Sequence, residues 1–80
     1  MSAQPIRSPL PGIFYRRPAP DAAPFKEDGA AVAAADVVGL IEVMKSFHQV
    51  AAGVAGSSIT FLIDNEEAVM AGQVIAEVLP

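Results

Sequence analysis

Cysteine and tryptophan are absent from the 80 residues, and histidine and tyrosine each occur once. Without thiols there is no disulfide framework and no thiolate metal site, and one imidazole alone makes no zinc ligand set. Positive charge is also scarce: Arg7, Arg16, Arg17, Lys26 and Lys45 stand against nine acidic residues, for a net charge of −4. The five are scattered and not interleaved with aromatics. The positive footprint that phosphate backbones require is therefore missing, and nucleic acid is not an expected partner. No apolar run approaches membrane-spanning length, and Met1-Ser2-Ala3-Gln4-Pro5 has no charged-then-apolar leader pattern. The expectation is a soluble, cytoplasmic protein with no membrane partner.

A chain of this length forms one domain with a small core and has no residues to spare for a second lobe enclosing an active site. No catalytic constellation is visible either. Asp64, Glu66 and Glu67 read as a solvated turn, and His48 has no nucleophile beside it. Gly53-Val54-Ala55-Gly56 is too short for a phosphate loop and lacks the Lys-Ser/Thr ending. No catalytic residue and no metal-binding residue is expected.

Read in order, residues 1–5 are expected to be a flexible tail and residues 6–80 the domain. Ile6 and Gly12-Ile13-Phe14 are short apolar pieces broken by Pro9 and Pro11, which forbid helix. Residues 15–25 form a proline-dense polar segment, with Pro18, Pro20 and Pro24 restricting the backbone, and predict a semi-rigid projecting loop. Glu27-Asp28-Gly29 signals a turn. Ala30 to Asp36 has the composition of a helix, but the β-branched run that follows it favours turns and strands. Ser58 to Ile63 alternates with period two, Asp64 to Glu67 turns, Ala71-Gly72 turns again, and Val74 to Val78 is a closing strand.

The run Leu40 to Val50 breaks at Met44-Lys45 and resumes. With strands on both sides, the break is a tight hairpin carrying Lys45 at its tip. Such turns usually take Asn, Asp or Gly, since positive φ is costly for residues with a Cβ. Neither Met44 nor Lys45 suits that position, and places where local turn preferences are ignored are candidates for function. By itself, a lysine at a surface turn is an ordinary solvated charge.

A faint internal repeat runs through the chain. Gly12-Ile13 answers Gly56-Ser57 at an offset of 44, whereas Val32 and Val37 answer Val69 and Val74 at an offset of 37. The first half is thus seven residues longer (44 − 37), and the excess falls between Gly12 and Val32, where the proline-dense loop lies. Lys45 sits between the halves.

Glu42-Val43-Met44-Lys45 resembles the signature of biotinyl domains, and Ser8 to Asp21 resembles the corresponding run of biotin carboxyl carrier proteins of the acetyl-CoA carboxylase type. The resemblance covers about Ile6 to Val78. It implies an all-β fold: a flattened barrel or sandwich of two small antiparallel sheets with pseudo-twofold symmetry, the lysine hairpin at one end and the termini at the other. It also implies covalent biotin on Lys45, with Glu42, Val43 and Met44 in the surface read by biotin protein ligase. Tyr15, Arg16, Arg17, Pro18, Ala19, Pro20 and Asp21 match a loop called the thumb, which leans toward the attached biotin. The implied role is a non-catalytic carrier subunit in fatty acid biosynthesis. It shuttles a carboxyl group from biotin carboxylase to a carboxyltransferase acting on acetyl-CoA or a related acyl-CoA. An ordinary lysine is almost wholly ammonium at neutral pH and not nucleophilic, so the ligase must supply both activation and selection against Lys26. The sequence departs from the family at Ala35 and Glu66, where turns usually have Gly, at Ser58, where an inward Val is common, and at Val43 and Ala19.

Two other readings stay open at this point. One is a lipoyl-type swinging-arm carrier, against which Met44 counts because lipoyl domains usually place Asp before the lysine. The other is an unmodified interaction module of the same fold.

Overall fold

A computed structural model describes residues 2–80. Seven strands and no helix are found among them: β1 (Gln4–Arg7), β2 (Gly12–Tyr15), β3 (Val37–Val43), β4 (Ser46–Ala51), β5 (Ser58–Phe61), β6 (Glu67–Val69) and β7 (Val74–Leu79). They form two antiparallel sheets, ordered β1-β7-β5 and β4-β3-β2-β6, in a flattened body of 38 × 27 × 20 Å. The fold class expected from the resemblance is thus the one observed. The alanine-rich segment is indeed not helical: Val32 makes an isolated bridge to Gly56, and the chain then turns into β3.

The repeat seen in the sequence is physical. Gly12 pairs with Val69, and Gly56, its mate 44 residues on, bridges to Val32, the mate of Val69. Val37 lies opposite Ala51, and Val74 opposite Arg7, with a register irregularity next to each pair. The Ser8 amide donates to the Gln73 carbonyl at 2.8 Å, and the Ala52 amide to the Asp36 carbonyl at 2.9 Å. In every case one partner is displaced by 44 residues and the other by 37, as a twofold axis relating the halves requires. The offset becomes 45 for the buried pair Phe14 and Ile59, which face Ile41 and Val78 respectively, so the second half carries one extra residue after Gly56.

The core between the sheets is drawn from both halves: Ile6, Phe14, Val38 and Ile41 from the first, and Val50, Ile59, Ile75 and Val78 from the second. The two related glycines let the backbone lie close against a neighbouring strand, β3 for Gly12 and β7 for Gly56. A methyl group on Gly12 would strike the Glu42 carbonyl and the Ile41 side chain, and one on Gly56 would strike the Leu79 carbonyl and the Val78 side chain. The obstructing residues again differ by 37. Gly12→Ala and Gly56→Ala are each expected to destabilise the domain by about 1–3 kcal/mol, because backbone must move to admit the methyl. Urea unfolding of the two variants checks this, and similar losses are the signature of the symmetry.

Several boundaries differ from the sequence reading. Gln4 and Pro5, expected in a tail, are paired with Val78 and Glu77, because a short edge strand is defined by its partner and not by its own composition. Strand β5 ends at Phe61, with one last rung beyond it where the Leu62 amide donates to the Ile75 carbonyl in the same register, and Glu67 opens β6 and does not close the turn. Tyr15 belongs to β2, so the projecting loop begins at Arg16. Glu66 does take positive φ (66°), and its dyad mate is Gly29 at 90°. Ala35 does not take it although its mate Gly72 does (83°), so that turn has relaxed to suit a residue with a Cβ.

Candidate functional site

Strands β3 and β4 are joined by Met44-Lys45 alone, with Val43 opposite Ser46 closing the turn. Both central residues have positive φ, 49° at Met44 and 69° at Lys45, which is the requirement of a type I′ turn. That turn matches the right-handed twist of the flanking strands and makes a stiff corner, but each residue there carries a Cβ and is strained by about 1–2 kcal/mol. Met44 is 93% exposed and Lys45 is exposed, with no ion pair or side-chain hydrogen bond among the described residues. In the other sheet, the dyad-equivalent position is occupied by the two chain ends, where Gln4 lies beside Val78.

Lys26, the other lysine, is tied down. Its ammonium lies 2.9 Å from Asp36 Oδ2 and donates to the Ala31 carbonyl at 3.2 Å. Asp36 also accepts the Ala33 amide at 2.9 Å. That amide first, and Lys26 second, hold the Asp36 carboxyl below the usual aspartate value. A carboxyl depressed in the folded state contributes stability at pH values above its unfolded pKa, and the contribution disappears as pH falls through the lower, folded value. Asp36→Asn should therefore flatten the acid limb of the stability profile, measured by urea unfolding between about pH 5 and about pH 2, and leave its neutral slope unchanged.

Beside the hairpin, the residues of the Glu42 and thumb segments meet. Glu42 faces Phe47 across the ladder, and its Oε1 accepts a hydrogen bond from the Tyr15 hydroxyl at 2.8 Å. The Tyr15 and Phe47 rings lie 5.9 Å apart at 55°, a favourable tilted arrangement. The Glu42 hydrogen bond is the main reason the Tyr15 phenol ionises above the ordinary 10.0, with desolvation and the charges of Glu42 and Glu66 adding to it. Tyr15 is therefore a firm donor at neutral pH. Val43 is half-buried against the core cluster.

The loop from Arg16 is closed at its stem by the Phe25 amide donating to the Arg16 carbonyl at 2.8 Å, and turns where Ala22 donates to Ala19 at 3.1 Å. Arg17, Pro18, Ala19 and Pro20 form one wall of a groove of about 320 Å³, with Tyr15, Phe47, Asn65 and Glu66 as the other. Asp21 is exposed and does not line it. Phe47, Asn65 and Glu66 were not singled out from sequence as groove residues. Nothing local marks Asn65, whose side-chain carbonyl accepts the Arg16 amide at 2.7 Å across 49 residues.

Two small antiparallel sheets related by a pseudo-dyad, with a lysine held out on a strained two-residue hairpin, define the biotinyl/lipoyl class of attachment domain. The family model described as "Biotin-requiring enzyme" matches residues 4–78, and the chain belongs to that family. It is 37% identical over 75 residues to the biotin carboxyl carrier protein of acetyl-CoA carboxylase from Nostoc sp. (strain PCC 7120), covering 94% of this chain and 41% of that protein. The proteins of the same description from Haemophilus influenzae and Chlamydia pneumoniae are 38% and 40% identical, over 86% and 84% of this chain and 44% and 40% of theirs. The chain thus spans about two-fifths of the length of these curated relatives.

The residues present suit biotin. The groove beside the hairpin offers a ring system the apolar surfaces of Tyr15, Pro18, Ala19, Pro20 and Phe47 and the polar groups of Arg17, Asn65 and Glu66. The exposed Lys45 amine, two residues before Phe47, is the one lysine without a partner among the described residues.

Proposed function

We infer that the chain carries biotin on Lys45 and serves as the non-catalytic carrier of a biotin-dependent carboxylase, with acetyl-CoA or a related acyl-CoA as the acceptor. The observation that carries this reading is the Met44-Lys45 turn, where two residues with a Cβ hold positive φ and one projects an unpaired amine. Backbone strain kept at an exposed corner has no benefit to the core, so a role in recognition accounts for it best.

Loading is an acyl transfer. Biotin protein ligase presents biotinyl-adenylate, the Lys45 nitrogen attacks the acyl carbon as it loses a proton, and AMP leaves. Geometry supplies the selection: Lys26 would have to break its contacts with Asp36 and Ala31, whereas Lys45 has none to break. Glu42, Val43 and Met44 present the lysine, and Met44, almost fully exposed, is the side chain a ligase meets first. When bound, biotin supplies a ring nitrogen that takes up a carboxyl group at biotin carboxylase and gives it up at carboxyltransferase. The tether keeps the local concentration of that ring high at both sites. The groove between the thumb and Phe47 gives the ring a resting place between visits. The net charge of −4 argues against a nucleic-acid partner.

Coexpression with an active biotin protein ligase tests the reading. The intact mass should rise by a single biotinyl group, and peptide mapping should place it on Lys45. Mass added by lipoyl in its place, or none at all, would favour the two other readings of the fold.

A further inference from the structure

Arg16 stands at the root of the projecting loop and touches every element that meets there. Its guanidinium lies 4.1 Å from the centroid of the Phe61 ring, at the end of β5. Nη2 donates to the Lys26 carbonyl at 3.2 Å, and Nη1 lies 3.7 Å from Asp28 Oδ2. Asp28 is itself fixed, since its Oδ1 accepts the Phe61 amide at 2.9 Å. The Arg16 backbone completes the set, its amide donating to Asn65 and its carbonyl receiving Phe25. One side chain thus joins the outgoing strand of the loop, the returning segment and the edge of the other sheet. Its Nε is buried with no hydrogen-bond partner among the described residues, so the fork is held by its two ends and its face.

We propose that Arg16 is a positioning residue: it sets the pose of the 17–20 wall over the hairpin groove, and thereby how the tethered ring is held. Arg16 itself does not line that groove. The claim rests on the reading of Lys45 as the biotin site, but its first half concerns the loop alone. Lysine cannot replace arginine here. A point charge on a flexible stem cannot donate to Lys26, approach Asp28 and cover Phe61 together, whereas a planar fork does all three. The ion pair contributes little by itself, because Asp28 is largely exposed at 3.7 Å.

The test uses the whole chain, unmodified and biotinylated. In the unmodified protein, Arg16→Met should speed hydrogen exchange at the Phe25 amide by about tenfold, while amides of β3, β4 and β7 keep their native shifts and rates. Arg16→Lys should behave the same way, and Asp28→Asn should stay within about twofold of native. In the biotinylated protein, the ureido N–H resonances should differ from those of free biotinyl-lysine, and Arg16→Met should return them to the free values. Native exchange at Phe25 in both Arg16 variants would overturn the proposal, and so would ureido resonances that do not respond to them. Ureido resonances already free in the native protein would also overturn it, since the groove would then hold nothing. Should Arg16→Met disturb the whole spectrum, Arg16→Lys decides by the same two readouts. If no biotin is ever attached, the carrier reading fails separately, and exchange at Phe25 still tests whether Arg16 holds the loop.

Discussion

Replacing Lys45 by arginine is expected to abolish biotin incorporation, and replacing Lys26 by arginine to leave it at the native level. The effect is all-or-none for a chemical reason. Amide formation needs a neutral amine, and a guanidinium stays protonated throughout the accessible pH range, so it cannot attack the adenylate carbonyl. The fold gives no reason for a change in stability, because the Lys45 side chain is exposed and makes no side-chain hydrogen bond among the described residues. The substitution keeps the charge and a similar stem at a position already held at positive φ (69°). Circular dichroism and the unfolding midpoint should match the native protein while a streptavidin blot stays blank. Label that survives in Lys45→Arg and vanishes in Lys26→Arg would move the attachment site to the lysine paired with Asp36, and freedom from partners would then not be what selects the amine.

That pairing marks the limit of what the sequence revealed. The break at Met44-Lys45 was legible because strand-forming residues flank it closely, and a two-residue gap between paired strands admits few turns. The halves were legible because glycine and valine recur at offsets of 44 and 37, and the structure turns those offsets into exchanged partners, Gly12 with Val69 and Val32 with Gly56. Lys26 with Asp36, Tyr15 with Glu42 and Arg16 with Asn65 were not legible. They are side-chain contacts, the last of them to a backbone amide, between residues 10, 27 and 49 positions apart, fixed by where the strands bring them. Periodicity reports the face of a strand and not the neighbour on the next one. For the same reason nothing in the sequence marks Glu42 as half-buried under a tyrosine hydroxyl. The turn at Ala35 shows the opposite case: two dyad-related turns of similar sequence pattern adopt different φ, because Gly72 permits what Ala35 resists.

Asn-Gly in place of Met44-Lys45 is expected to make a more stable and functionally inert domain. Asn and Gly adopt the two positive-φ positions of a type I′ turn with little strain, whereas Met and Lys each give up about 1–2 kcal/mol there. Part of the gain is offset by the extra freedom glycine has in the unfolded chain, about 0.4–1 kcal/mol. A net stabilisation of at least about 1 kcal/mol remains, and for a domain of this size each kcal/mol raises the melting temperature by about 4–8 °C. No packing is lost to offset it, since Met44 is 93% exposed and both flanking strands keep their register through the Val43–Ser46 pair. Calorimetry of the double variant against Lys45→Arg isolates the turn, because both lack the amine. Equal midpoints in the two would mean that the corner is not strained, and the turn would then cease to argue for recognition. A higher midpoint in the Asn-Gly variant, with no label in either, would show that this hairpin keeps at least about 1 kcal/mol of strain in order to present a lysine.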